Sequence, residues 1–215
     1  MDAQDQYIPA LSSDRLTPLF DSVIRWSMRE LELKRRLIKQ SRIEAGHRVL
    51  DLGCGTATLT ILIKQSHPTV EVVGLDGDRK ILAIAEAKVA QAGVKLTLDH
   101  GLAFELPYPD QSFDRVVSSL VIHHLTTANK RRTFKEIYRV LQPGGELHVL
   151  DFGRPHSLYT SIVSLLLRRF EEAADNVQGL LPGMMREAGF DQVGVNQRFT
   201  AIFGPLVLYR AWRPA

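Results

Sequence analysis

The stretch Val49–Ile63, VLDLGCGTATLTILI, decides how this chain is read. An apolar run ends in the acid Asp51, Gly53 and Gly55 flank Cys54, and apolar residues then resume. A strand, a G-x-G turn and a helix in that order mark a nucleotide crevice at the carboxyl edge of a parallel sheet. Asp76 ends the next apolar run, VEVVGLD, about 20 residues further on, where an acid can hydrogen-bond a ribose hydroxyl. A lone G-x-G is a weak signal. The strand before it, the helix after it and the acid at the next strand's tip make it a strong one.

The same residues narrow the ligand. A dinucleotide lays its pyrophosphate on the helix N-terminus, and a P-loop adds a lysine followed by serine or threonine. The chain has no G-K-[ST], and Thr58 stands where G-x-G-x-x-G has its third glycine. Asp51, two residues before Gly53, is expected to put negative charge at the pocket mouth. That charge repels a pyrophosphate and suits a ligand that carries cations. S-adenosylmethionine, with an ammonium, a sulfonium and a ribose for Asp76, is such a ligand.

Outward from this core, strand and helix signals alternate. RVLDL, VEVVGLD, KLTLD, FDRVVSS and ELHVLDF read as strands. Helices are expected over 57–66, over Ile81–Ala92 with Gly93 as stop, and around Phe134–Leu141, ending at PGG. This alternation predicts a parallel sheet covered on both faces. Upstream, residues 16–43 have helical spacing with Thr17 and Pro18 as a start signal. The basic cluster Lys34, Arg35, Arg36, Lys39 and Arg42 reads as a solvated helix face. Downstream, 154–180 is a long connection, LPGMMREAGF a short helix, and FDQVGVNQRF with AIFGPLVLYRAW an antiparallel hairpin. One domain is expected: a helical cap over 1–44, a cofactor-binding core over 45–153, a lid-like insertion over 154–180, and a C-terminal helix with strands over 181–215.

Composition sets outer bounds. The 215 residues, 45% hydrophobic and 24% charged, suit one globular domain with a sizeable core. A net charge of +3 falls short of the dense basic footprint of a nucleic-acid binder. One cysteine excludes an internal disulfide and a cysteine-rich zinc site, and points to a reducing, cytoplasmic setting. No metal is expected. The polar, acidic start lacks a signal peptide's pattern, and the run Leu158–Leu167 is too short to cross a bilayer.

The segments VLDLGCGTATLT, VVGLDGD, LPYPDQSFDRVVSSLVIHHL and IYRVLQPGGELHVLDFGRP resemble, in order, the motifs of class I S-adenosylmethionine-dependent methyltransferases. They are most similar to the ubiquinone/menaquinone methyltransferase-like branch with its methyltransferase-11-type domain. The resemblance is strong over residues 45–152 and continues more weakly to about 212. It implies an α/β, Rossmann-like fold: a seven-stranded, mostly parallel sheet with helices on both faces and the last strand inserted antiparallel between the fifth and sixth. It also implies cofactor contacts from Asp51, Gly53, Cys54, Gly55 and Thr56, and from Asp76 and Gly77. Further along, Leu102, Ala103, Ser119 and Leu120 fall at the family's other cofactor positions. Two positions depart from the pattern. Ala57 replaces the third glycine of the first motif, and alanine still allows close approach. Leu102 replaces the acid that meets the adenine amino group, leaving adenine to apolar packing and to the main chain of Leu102 and Ala103.

Methyl transfer is an in-line displacement, so holding the acceptor in line supplies most of the acceleration. A base is needed only when the acceptor must lose a proton, as a phenol or an activated ring carbon would. His123 and His124 follow the fourth strand, where the family places residues beside the transferred methyl, and the reading leans to His124. The bland alternative is that one histidine caps the next helix and the other faces solvent. Asp151 and His156 are weaker candidates, and Tyr7 and Tyr159 could line the acceptor pocket. Cys54 reads as a small residue in a tight turn, ahead of a reactive thiol. Met184, Met185 and SIVSLLL could form a greasy lid, with core packing as the default. Arg168 and Arg169 could rest on an anionic membrane surface.

The acceptor is expected to be small and apolar or aromatic, quinone- or lipid-like. FDRVVSSLVIHH lacks the Asn/Asp-Pro-Pro-aromatic motif of amino-methyltransferases acting on nucleic acid, which disfavours that partner. Two other readings stand beside this one. A non-catalytic binder of S-adenosylmethionine or S-adenosylhomocysteine gains some support from Leu102. An NAD(P)-dependent oxidoreductase is opposed by Asp51, the missing third glycine and the lack of a Tyr-x-x-x-Lys pair.

Overall fold

Val49, Leu50 and Leu52 of β1 (Arg48–Leu52) are shielded from solvent on both sides of the strand, as a central strand of a doubly covered sheet must be. In the computed structural model, which describes residues 30–167, 171–201 and 204–215 (side chains of 165–167 and 171–172 excepted), β1 is the middle of that sheet. Its neighbours are β2 (Glu71–Asp76) and β4 (Phe113–Ser119), both parallel to it. β3 (Thr97–His100) lies outside β2, and β5 (Leu141–Phe152) outside β4. β6 (Asp191–Ala201) and β7 (Gly204–Trp212) complete the order β3-β2-β1-β4-β5-β7-β6. β7 runs antiparallel to both β5 and β6. The seven strands, the parallel majority and the inserted last strand are as the sequence implies.

Alternation along the strands sends side chains to two cores. On one face Leu50, Leu52, Val116 and Val149 pack with Phe134 and Ile137 of α4 (Thr127–Val140) and with Leu181, Met184 and Met185 of α7 (Leu181–Glu187). On the other, Val49, Val72, Val117 and Leu150 meet Leu33 and Leu37 of α1 (Glu30–Ser41) and Leu59 and Ile63 of α2 (Thr58–Ser66). α3 (Arg79–Ala92) is capped by Asp78, whose Oδ1 accepts from Lys80 N at 2.8 Å, and is stopped by Gly93 at φ 63°. Met184 and Met185 are therefore core, and the lid reading does not hold for them. The helix expected to end at PGG ends instead at Val140, because β5 already pairs with β4 at Leu141.

The basic cluster of α1 is largely consumed by pairing. Lys34 meets Glu30, Arg36 meets Glu32 at 2.7 Å, and Arg42 meets Glu146 at 2.6 Å. The 154–180 connection carries α5 (Leu158–Leu167) and α6 (Glu171–Gln178). α5 packs on β7, and α6 on β5 and the turn after β4. The start signal at Thr17–Pro18, Tyr7, Arg168 and Arg169 lie outside the described residues. No described helix is long and apolar enough to cross a membrane.

Candidate functional site

The carboxyl ends of β1, β2 and β4 bring most of the expected residues to one edge. After β1 the chain turns sharply, with Gly53 at φ 70°, Gly55 at φ 55° and Ala57 at φ 59°. Gly53 is required here. A Cβ on it would lie 2.4 Å from Cγ2 of Val121, which follows the β4 residues Ser118 and Ser119 and the turn residue Leu120. A Cβ on Gly55 would meet nothing within 4 Å, so the turn borders open space that a ligand can fill. Ala57 carries a left-handed backbone that costs a non-glycine residue about 1–2 kcal/mol. The sequence reading treated this position as a question of space; conformation is what makes glycine usual there.

The turn's donors are already committed. Gly53 N and Cys54 N both donate to Leu75 O, at 2.8 and 2.9 Å. Gly55 N donates to Asp76 Oδ2 at 2.9 Å, and Ala57 N to Cys54 O at 2.9 Å. Phosphate-binding loops need such N–H groups pointing at the anion. These four do not, which argues against a diphosphate more strongly than charge alone.

Asp51 is set deeper than the pocket mouth where the sequence reading placed it: it is 1% exposed and accepts from Thr60 Oγ1 at 2.6 Å. Burial pushes its pKa up to about 6, with the Asp76 charge adding to the rise and the Thr60 hydroxyl and Lys34 opposing it. Asp76 is raised too, mainly by burial, while its Oδ1 accepts from Asp78 N at 2.9 Å. Two carboxylates short of solvation at one turn form a site that favours a cation. Burial also drives the Cys54 thiol well above its ordinary pKa, helped by the same two carboxylates, which makes it an inert packing residue. Thr56 Oγ1 accepts from Lys88 Nζ at 2.8 Å, tying α3 to the turn. Gly77 O meets His100 Nε2 at 3.1 Å. Leu102 and Ala103 are half-buried in the loop after β3, whose Gly101 N donates to Asp76 O at 3.0 Å. Ser119 Oγ is buried with no hydrogen-bond partner, and Leu120, like Ala57, is a non-glycine residue in the left-handed region, at φ 60°. A turn open at Gly55, two carboxylates, an unpartnered hydroxyl and the apolar pair Leu102 and Ala103 fit an adenosyl donor bearing cations.

Beyond β4 a short 3₁₀ turn, Ile122–His124, carries both histidines. Neither caps the following helix: Thr126 does, accepting from Asn129 N at 3.3 Å. Both rings are half-buried, with centroids 4.0 Å apart. They differ in their partners. His123 Nδ1 lies 2.8 Å from Asp151 Oδ1, whereas His124 is held neutral by burial and by the neighbouring His123, its pKa lowered to about 4. Asp151 is fully buried, and although burial alone would raise its pKa, His123 and backbone N–H groups bring it below the usual carboxylate value. The sequence reading leaned to His124 and ranked Asp151 low. The geometry gives His123 the carboxylate. The signal was present in the alternation of β5, which puts Leu147, Val149 and Asp151 on the α4 face, but needed the register between β4 and β5 to be used. His156 turns away, its Nε2 3.2 Å from Thr200 Oγ1, and Tyr159 lies exposed on α5.

A family model described as "Methyltransferase domain" matches residues 49–145. The demethylmenaquinone methyltransferase of Anoxybacillus flavithermus is 31% identical over 198 residues, which cover 81% of this chain and 82% of that protein. That of Lactobacillus johnsonii is 38% identical over 125 residues, 57% of this chain, and the match spans only 50% of that relative's length. Among solved structures, phosphoethanolamine N-methyltransferase 2 of Haemonchus contortus superposes with a TM-score of 0.74, covering 97% of this chain and 62% of that one. At 18% identity this shows the fold alone. The buried Asp51, the half-buried Asp76 and the internally bonded glycine turn thus sit on a fold and in a sequence neighbourhood that agree with them. The chain belongs to the class I S-adenosylmethionine-dependent methyltransferases, in their ubiquinone/menaquinone methyltransferase-like branch.

Proposed function

We propose that the protein methylates a small, apolar or aromatic acceptor, quinone- or lipid-like, with His123 removing the acceptor's proton. The observation that carries this reading is the 2.8 Å contact between His123 Nδ1 and Asp151 Oδ1. With its Nδ1–H donated to the carboxylate, the neutral imidazole keeps Nε2 as an acceptor, the tautomer a general base needs. Asp151 then stabilises the imidazolium that forms when the proton arrives. The names of the relatives, demethylmenaquinone methyltransferases, favour a hydroxylated ring of the quinone type.

The donor would lie along the turn Gly53–Thr56, with Asp51 holding its ammonium, Asp76 its ribose, and Leu102 and Ala103 against its adenine. Ser119 and Leu120 would floor the crevice. When bound, S-adenosylmethionine supplies a methyl group already activated on a sulfonium. α6 serves as a fixed wall of the acceptor side. α5 presents Leu158 and Ile162, 80% and 57% exposed, as the face toward an apolar acceptor or the membrane surface that holds it. Arg168 and Arg169 follow that face in the sequence, a pattern suited to anionic lipid. A cytosolic setting suits a chain whose one thiol is buried and unpaired.

The test is incubation of the protein with methyl-labelled S-adenosylmethionine and reduced demethylmenaquinone in detergent. Label is expected in the quinone fraction, and its loss in His123→Gln. Measurable cofactor binding with no label in any quinone or lipid acceptor would favour the non-catalytic binder instead.

A further inference from the structure

Asp151 is a buried carboxylate with an unusually full set of donors. Oδ2 accepts from Ile122 N at 2.8 Å and His123 N at 3.4 Å. Oδ1 accepts from Phe152 N at 2.7 Å and His123 Nδ1 at 2.8 Å, and from Asn176 Nδ2 at 3.1 Å. The first four come from β5 itself and from the turn after β4. The fifth reaches in from α6, within the 154–180 insertion.

Asn176 is an expensive residue to place there for packing alone. It is 0% exposed, and its Oδ1 has no hydrogen-bond partner. A buried amide with half its bonding capacity unmet costs stability that a leucine of similar volume would not. Its neighbour Asp175 grips a different element, accepting from Thr127 Oγ1 at 2.6 Å and Lys130 Nζ at 3.2 Å, both on α4. Consecutive residues of α6 therefore clasp α4 and the Asp151 carboxylate together.

We propose that Asn176 is a positioning residue for the His123–Asp151 pair: its side-chain amide fixes the carboxylate rotamer that receives His123 Nδ1, so that docking of α6 sets the state of the imidazole. The inference rests on the reading of His123 as the base, but it concerns groups present in the ligand-free protein. The titratable and charged groups around His123 are Asp151 from β5, His124 from its own turn, and the Tyr209 hydroxyl from β7, which donates to Phe152 O at 3.4 Å. From α6 and α4 come Asp175 and Lys130, which are paired with one another.

The experiment is a histidine-resolved NMR titration of the full, ligand-free chain, comparing wild type with Asn176→Leu. A carboxylate that loses a donor holds an imidazolium more tightly, so the His123 midpoint is expected to rise by roughly 0.5–1 pH unit. The Nδ1 proton is expected to broaden through exchange, while S-adenosylhomocysteine affinity stays within about twofold. An unchanged midpoint and an unchanged Nδ1 signal in a folded variant would overturn the proposal. If Asn176→Leu does not fold, Asn176→Ala removes the same donor without adding bulk or charge at a site that is 0% exposed. The midpoint must then rise in the same direction, and a wild-type titration curve overturns the proposal just as surely. Full methyl transfer by His123→Gln would defeat the base reading while leaving the titration result intact, so the two failures are distinguishable.

Discussion

His123 and Asp151 meet with the acid wholly buried and the imidazole 15% exposed, an asymmetry that turns ring nitrogen Nδ1 inward onto the carboxylate. Removing the imidazole should therefore cost rate and spare binding. His123→Gln is expected to lower kcat by about 10²–10⁴-fold, the usual worth of a general base. The Kd for S-adenosylhomocysteine, measured by calorimetry, should move by less than about twofold. His124→Gln should keep kcat within about fivefold, since an imidazole whose pKa is lowered to about 4 is a weak base for taking a proton at pH 7. A larger loss in His124→Gln than in His123→Gln would transfer the role.

Cofactor affinity should depend on pH through Asp51. In the ligand-free protein this acid is raised to about 6, so it is ionised above that pH and protonated below. A cationic ligand binds the ionised form and draws its pKa down. Affinity for S-adenosylmethionine is thus flat above about pH 6.5 and weakens by about tenfold per pH unit well below 6. Asp51→Asn should bind weakly at every pH and lose that slope. Fluorescence titrations from pH 5 to 8 check both.

Gly53 and Val121 should be coupled. Gly53→Ala places a methyl 2.4 Å from Val121 Cγ2 and forces alanine to φ 70°. The clash and the backbone strain together should cost about 2–4 kcal/mol. Val121→Ala on that background should restore the steric part and leave about 1 kcal/mol of strain. Urea denaturation of the four proteins gives the coupling directly, and strict additivity would show that the two side chains do not meet.

Lys130 is fully buried, and Asp175 is one of the groups that balances it. Asp175→Ala should destabilise the protein by about 3 kcal/mol, the lower end for breaking a buried ion pair. Amide exchange in α6 should accelerate at the same time. A change below about 1 kcal/mol would mean that the insertion is not fastened there.

The sheet was legible because its strands are short apolar runs bounded by turns, and because Asp51, Gly53, Gly55 and Asp76 mark where two of them end. What could not be read was depth and register. Asp51 was expected at the pocket mouth, since nothing local shows that Thr60, nine residues further on in the first turn of α2, closes over it. The sequence could not weigh His123 against His124 for a similar reason. Choosing between adjacent histidines requires knowing that Ser119 stands opposite Leu150, which brings Asp151 beneath the turn. The long connection was visible by length alone. Its docking depends on Asp175 and Asn176, ordinary polar residues whose partners lie 45 and 25 positions away.

The place of β7 between β5 and β6 bears on how the molecule is assembled. Asp151 stands opposite Val207, so the strand that holds the carboxylate stays an open edge during synthesis until the chain beyond Gly204 has left the ribosome. β6, made earlier, has nowhere to attach until then. The nucleotide crevice, built from β1, β2 and β4, can form before either event. A chain cut short ahead of Gly204 would therefore retain its hold on the nucleotide for longer than its capacity to turn over.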